Sequence, residues 1–315
     1  MAQHSARPIE AVVCIPTFRR PDWLERTVLS VVGQVTDFGF AIVVVDNDAG
    51  AQAGAARAAA VLAESPIPSR IVVEGEQGNC HAINRAFAVA QAEFPEAEFL
   101  LMIDDDEMAL PGWLAAIVGT AKLEDADVVG GPVLRRFEGP VADAIARHPL
   151  FFSIDGETRA VEQIHGSGNC LIRRRVFERM PVPPFDTRFN FLGGGDMEFF
   201  TRCRRQGFKS WWSASAVVHE FVPAERANAR FLARRSIRTG GINYVIDRMS
   251  MPAAVAMAKN VGSLGLGFFR SAGLLLRTGS PILASHPFLM SVGRIGASLG
   301  FLPQPYKARR KAPLA

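Results

Sequence analysis

Three consecutive carboxylates, Asp104-Asp105-Asp106, follow the apolar run Phe99 to Ile103 directly. Like charges placed together at one point repel unless a cation or a proton intervenes. Hard oxygen ligands of this kind suit Mg²⁺ or Mn²⁺, which commonly completes its shell with substrate phosphates. The same triplet also reads as a solvated acidic turn that favours the start of a helix at Pro111. A second carboxylate group, Asp46-Asn47-Asp48, ends another apolar run. A short acceptor there can take a hydrogen bond from a nucleobase or ribose, or it can form an Asx turn, the preferred reading for Asp48.

Pro16-Thr17-Phe18-Arg19-Arg20 offers a hydroxyl, an aromatic ring and two guanidinium groups, suited to holding a nucleotide or simply to starting a helix. Gly193-Gly194-Gly195-Asp196 precedes a helical pattern carrying Phe199, Phe200 and Cys203 on one face. Glycines allow close backbone approach to a substrate, and Asp196 is then either a helix N-cap or a general base. Gly166-Ser167-Gly168-Asn169 lines a sugar site or turns into a strand, and His219, closing Ala216 to Val218, is a metal ligand or a structural histidine. No phosphate-binding GxxxxGK[ST] and no GxGxxG opening a helix occurs.

These residues need a scaffold that gathers them. Short β-branched runs at Ala11 to Ile15, Ala41 to Val45, Arg70 to Val73 and Phe99 to Ile103 alternate with helical patterns over Trp23 to Val32 and Asn79 to Ala92. That order predicts βαβ units and a mainly parallel sheet buried on both faces. In such sheets ligands bind beyond the carboxyl ends of the strands, where the polar groups above fall.

The ordered set Val13 to Pro21, Val43 to Asp48, Gly78-Asn79, Ile103 to Glu107, Gly168-Asn169-Cys170 and Gly194 to Glu198 resembles the family 2 glycosyltransferases of GT-A fold over roughly residues 10 to 245. Among these it is most similar to bacterial exopolysaccharide enzymes of the succinoglycan type, a likeness that Gly300 to Tyr306 extends. The resemblance implies an inverting, metal-dependent hexosyl transfer from a nucleotide-diphosphate sugar such as UDP-glucose to a saccharide acceptor, polyprenyl-diphosphate-linked, in polysaccharide synthesis. It assigns donor binding to Pro16, Thr17, Phe18, Arg19, Asp46, Asp104 and Asp105. It makes Asp104 and Asp106 the DxD pair that positions the donor and a Mn²⁺ or Mg²⁺ ion, adds His219 to Asp106 as a metal ligand, and makes Asp196 the base; Gly168, Asn169, Gly194 and Gly195 are the candidate acceptor-binding residues. Gly194 departs from relatives that carry an acid before the catalytic Asp. The arginines from Arg230 to Arg238 lack the QxxRW pattern of processive synthases, so one sugar is expected per encounter.

The chain has 315 residues, 49% apolar and 21% charged, enough for a substantial core. Its net charge of +4 is uneven: residues 1 to 247 hold all 31 acids against 26 Lys and Arg, and residues 248 to 315 hold nine basic residues and no acid. A catalytic domain over 1–247 and a basic, apolar, helical membrane-association region over 248–315 are therefore expected. Amphipathic segments there, with Lys259, Arg270, Arg277 and Arg294 toward anionic headgroups, would hold the protein to the cytoplasmic side of the inner membrane. A helical subdomain packed on the core is the other reading. Four scattered cysteines indicate neither disulfides nor zinc, no secretory leader is evident, and aliphatic rather than aromatic neighbours of the basic residues argue against nucleic acid. A sugar nucleotidyltransferase would want a glycine-rich loop after the first strand, where Pro16 to Arg19 has none. A saccharide-binding protein without turnover is the non-enzymatic alternative.

Overall fold

The computed structural model describes residues 7–151, 153 and 156–302. Its elements run β1 (Ile9–Thr17), α1 (Pro21–Val32), β2 (Gly39–Asp46), α2 (Ala53–Leu62), β3 (Ser69–Val73), α3 (Asn79–Glu93), β4 (Phe99–Ile103), β5 (Glu107–Ala109) and α4 (Trp113–Leu123). There follow β6 (Val128–Gly130), β7 (Val133–Phe137), α5 (Asp143–Ala146), β8 (Arg159–Val161), β9 (Asn169–Arg173), α6 (Arg174–Arg179) and α7 (Gly195–Arg205). The last are β10 (Ser210–Trp212), β11 (Val218–Val222), α8 (Ala229–Arg248), α9 (Ala253–Thr278) and α10 (Pro281–Ser298).

The main sheet has the order β3-β2-β1-β4-β9-β6-β10-β8. Strands β3, β2, β1 and β4 are parallel, whereas β9 runs antiparallel between β4 and β6. Every residue of β4 is fully buried, as are Ala11 to Ile15 and Ala41 to Val45, which is why these strands read as unbroken apolar runs. Helix α1 starts on Pro21 and buries Leu24, Thr27, Val28 and Val31, a stripe at the helical repeat. Helix α3 does the same with Cys80, Ile83, Phe87 and Ala90. The expected GT-A arrangement, a mainly parallel sheet flanked by helices and followed by C-terminal helices, is the observed one.

By packing, the chain forms two compact units. Among the described residues, one comprises 7–134, 153, 156–190 and 195–220; the other comprises 135–151, 191–194 and 221–302. In the second unit α8 packs along α10 and shares its core. Phe151, Val222 and Leu232 centre that core, with Phe231 and Ile282 packed on it.

Glycine sets the spacing of these helices. A methyl at Gly240 would overlap the backbone of Met290, and one at Gly293 would overlap the backbone of Ile237, so α8 and α10 approach main chain to main chain. Arg294, expected to face lipid, is instead 6% exposed. Its guanidinium donates to Asp247 Oδ2 at 2.6 Å and to Asn260 Oδ1 at 3.0 Å. Lys259 also turns to Asp247, at 2.8 Å. A cation on a helix face buried by its neighbours keeps its charge by pairing with an acid, and Asp247 is the acid within reach. Of the Gly300 to Tyr306 segment, Pro303 to Tyr306 lie outside the described residues.

Candidate functional site

The polar residues beyond β1 and β4 are joined to each other. Thr17, in register with Asp46 at the end of β1, donates through Oγ1 to Asp105 Oδ2 at 2.7 Å. The Phe18 amide donates to the same oxygen at 3.4 Å, and Arg20 Nη1 donates to Asp105 Oδ1 at 3.0 Å and to Asp106 Oδ2 at 2.7 Å. Asp105 is buried, and burial pushes its carboxyl above the usual range even with Arg20 opposing. The middle acid of the triplet thus anchors the turn to β1. Pro16 is buried within β1, opposite Val45, while Arg19 is exposed in a left-handed conformation at φ 58°.

Asp46 has no exposure, and its two carboxylate oxygens accept the amides of Asp48 and Ala55, each at 2.9 Å. The Asx turn read at Asp48 is therefore made first by Asp46, which ties the end of β2 to the start of α2. Asp48 in turn binds Arg19 at 2.7 Å, and that hydrogen bond holds its carboxyl below the ordinary range. Asn47 accepts the Gly78 amide at 2.7 Å, fixing the entry to α3.

Asp104 and Glu107 close a tight turn: the Glu107 amide donates to the Asp104 carbonyl at 3.1 Å, and the Asp104 amide donates to Glu107 Oε2 at 3.2 Å. Strand β5 then pairs antiparallel with β11, setting Glu107 opposite Glu220 and Met108 opposite His219. Burial first, then the charges of Asp106, Asp105, Glu220 and Asp196, push Asp104 well above the carboxylate range. Burial and Asp104 do the same to Glu107. His219 does not close a strand, as its sequence neighbours suggested; it lies inside β11, where alternation directs it and Glu220 to opposite faces.

The loop before β9 lies against both acid groups. A Cβ on Gly168 would stand 2.5 Å from Glu107 Oε1 and 2.9 Å from Asp104 Oδ2, and one on Gly166 would stand 3.9 Å from Asp196 Oδ2. Asn169, expected to line an acceptor site, is a structural clasp instead. Its Oδ1 accepts from Trp113 Nε1 at 2.8 Å, and its amide donates to the carbonyls of Pro132 at 3.1 Å and Ala216 at 2.7 Å, which uses both of its amide protons.

Asp196 lies in the first turn of α7, one residue inside it, so it is not the N-cap. It is half-buried, at the N-terminal end of that helix. The neighbouring Glu198 is buried and neutralised by Arg202 at 2.6 Å. Gly195 has Cys80 Sγ 2.6 Å from where a Cβ would be. Gly194 has φ +84°, and a side chain there would overlap Ile242. The departure from an acid at 194 is therefore a requirement of packing and backbone conformation.

The residues brought together on the first unit are Thr17, Arg20, Asp104, Asp105, Asp106, Glu107, Gly166, Gly168, Asp196 and Glu220. Sequence reasoning read Arg20 as one of two guanidinium groups suited to a nucleotide, whereas here it holds Asp105 and Asp106; it gave Glu107 no role and did not name Glu220. The pairing that unites the two glutamates involves a three-residue strand too short to show a period, although Glu220 adjoins the flagged His219. Among the described residues no group of three or more His, Cys, Asp or Glu side chains forms a preassembled metal cage. The donor chemistry still fits Mg²⁺ or Mn²⁺, which is ordinarily held by one or two carboxylates and by substrate phosphates rather than by an all-protein cage.

Comparison with known proteins matches the glycosyl transferase family 2 model to residues 12–180. The succinoglycan biosynthesis protein ExoM of Rhizobium meliloti (strain 1021) is 30% identical over 241 residues, 74% of this chain and 72% of that protein. Among solved structures, the mannosyltransferase PcManGT of Pyrobaculum calidifontis, in complex with GDP-Man and Mn²⁺, matches with TM-score 0.61 and 17% identity, covering 92% of this chain and 90% of that one. TarS of S. aureus matches with TM-score 0.52 and 13% identity, over 86% of this chain and 46% of that one. With the acid-lined strand ends of a GT-A sheet and a family match over more than half its length, the chain belongs to the family 2 glycosyltransferases.

Proposed function

We propose that the protein transfers a hexose, with inversion, from a nucleoside-diphosphate sugar to a saccharide acceptor carried on a lipid diphosphate, in exopolysaccharide biosynthesis. The observation that carries the reading is that Asp104 and Asp196 lie against the same glycine loop, Gly166 to Gly168. Acids from two distant segments thus converge on one loop, whose glycines let the carboxylates come close to its backbone. The name of the Rhizobium meliloti relative supports the biosynthetic setting, and the GDP-Man and Mn²⁺ of the Pyrobaculum structure support a nucleotide-sugar donor and a divalent ion.

In this reading the acceptor hydroxyl oxygen attacks the anomeric carbon as the bond to the diphosphate oxygen breaks, and that oxygen leaves with the electron pair. Asp196 takes the hydroxyl proton, a role worth about 10²–10⁴ in rate. Phe18 and Arg19, beside the fixed turn at Asp46, border the nucleotide, while Thr17 and Arg20 hold the acidic turn in place. Asp106 and His219 are the residues that would hold Mn²⁺ or Mg²⁺, and the ion when bound would supply Lewis-acid stabilisation of the charge on the departing diphosphate.

Calorimetric titration with UDP, GDP and their sugars, with Mn²⁺ and with EDTA, tests this beside Asp106→Ala and His219→Ala. Metal-dependent binding of one nucleotide, lost in Asp106→Ala, is expected. No binding of any nucleotide would overturn the proposal and favour saccharide binding without turnover.

A further inference from the structure

Helix α9 is held to its unit by a narrow stripe. Ala256, Asn260 and Gly267 are its buried residues, with Ser263, Ser271 and Leu274 half-buried along the same line. Those positions recur every three or four residues, so one face of the helix packs and the rest of its circumference is open. That open side is apolar. Val261 is 64% exposed, Leu266 50%, Phe268 60%, Phe269 72%, Leu275 45% and Leu276 88%. Half of the large exposed hydrophobic side chains among the described residues lie on this helix, which is far more than scattered surface apolar residues account for.

Its charges are as ordered as its apolar side chains. Arg270 and Arg277 are seven residues apart, about two turns, so they lie in line between the packed stripe and the apolar arc. Both are exposed, and α9 carries no acid. An apolar arc bordered by cations is the distribution that places hydrocarbon in the acyl region and guanidinium groups at the phosphates. Among the described residues no helix is long and apolar enough to cross a membrane.

We infer that the open side of α9 is a docking surface for an anionic lipid bilayer, with Phe269 and Leu276 inserted and Arg270 and Arg277 on headgroup phosphates. The inference rests on the expected peripheral attachment but confines it to one helix: Arg294 and Lys259, engaged with Asp247, take no part. The cations select a lipid surface over a second copy of α9, since two such helices would bring like charges together.

The test is co-sedimentation of the full chain with vesicles of phosphatidylcholine alone and of phosphatidylcholine mixed with phosphatidylglycerol. Wild type should bind the anionic vesicles about tenfold or more tightly than the neutral ones. Phe269→Glu/Leu276→Glu should lose about tenfold or more on both. Arg270→Glu/Arg277→Glu should lose the anionic preference alone. Circular dichroism should report folded protein for each, since all four side chains are exposed. Wild-type binding retained by either variant overturns the inference. So does a wild-type dimer in light scattering that the Glu variants render monomeric while no form binds vesicles. Nucleotide titration on the same samples separates the two proposals: vesicle binding without nucleotide binding defeats the transferase mechanism only, and the reverse result defeats the docking surface only.

Discussion

The Thr17 hydroxyl donates to the Asp105 carboxylate across 2.7 Å, although 88 positions separate the two residues. The end of β1 and the acidic turn after β4 are therefore one structural piece. Thr17→Val leaves Asp105 Oδ2 with only the longer bond from Phe18. Stability should fall by about 1–2 kcal/mol in urea titration. Donor affinity should fall roughly three- to tenfold in calorimetry, since the turn that presents Asp104 and Asp106 loosens. Unchanged affinity would disconnect this clasp from the donor.

Gly168→Ala introduces a methyl between Glu107 and Asp104, at 2.5 and 2.9 Å from their oxygens. The carboxylates must part, so donor turnover should drop by about 100-fold, the scale on which small misplacements of catalytic groups act. The melting temperature should fall as well, because Gly168 and Glu107 are buried and the added methyl overpacks them. A fully active variant would remove this loop from the site.

Asp196→Asn keeps the size of the side chain and removes the proposed base. Single-turnover kinetics should show a loss of about 10²–10⁴ in rate with donor binding unchanged. Asp106→Ala should instead lose metal-dependent donor binding. If Asp196→Asn loses donor affinity and keeps its rate, the two roles have been assigned the wrong way round.

The second unit should be sensitive to acid. His148 is 1% exposed, and its imidazole is pushed from 6.5 down to about 4 by burial, by His286 and by Arg235. His286, whose ring stacks edge-on at 5.0 Å, is lowered by burial too. A base whose folded pKa lies below its unfolded value leaves the unfolded chain holding more protons between the two. Stability is then complete above pH 6.5, declines as the pH falls toward 4, and levels off below. The decline from His148 should be roughly 1–3 kcal/mol in urea titrations at stepped pH, and His148→Gln should flatten it.

The long parallel strands were legible because burial on both faces leaves continuous apolar runs, and β1, β2, β3 and β4 fall where those runs predict. Crossover helices showed through Leu24, Val28 and Val31 in α1 and through Ile83 and Phe87 in α3. The three-residue strands β5, β6, β8 and β10 were not legible, since a period of two needs more residues to appear. That is why Glu107 and Glu220, adjacent only through β5 and β11, escaped notice. Asn169 has the residue type of a ligand-binding side chain, and only the positions of Trp113, Pro132 and Ala216 reveal that its amide is fully used. In the tail, composition identified the cations, but which of them pair with Asp247 depends on which helix faces meet.

Asp247 is the last acid of the chain, and it faces two of the cations that follow it. Once Arg294 and Lys259 are set against it, that cluster carries a net charge of +1 instead of +2, and the rest of the outward field of the described residues from 248 onward comes from Arg248, Arg270 and Arg277. The attraction such a surface exerts at a distance is correspondingly modest, fades within about 10 Å at ordinary ionic strength, and leaves adhesion to the apolar side chains between the charges.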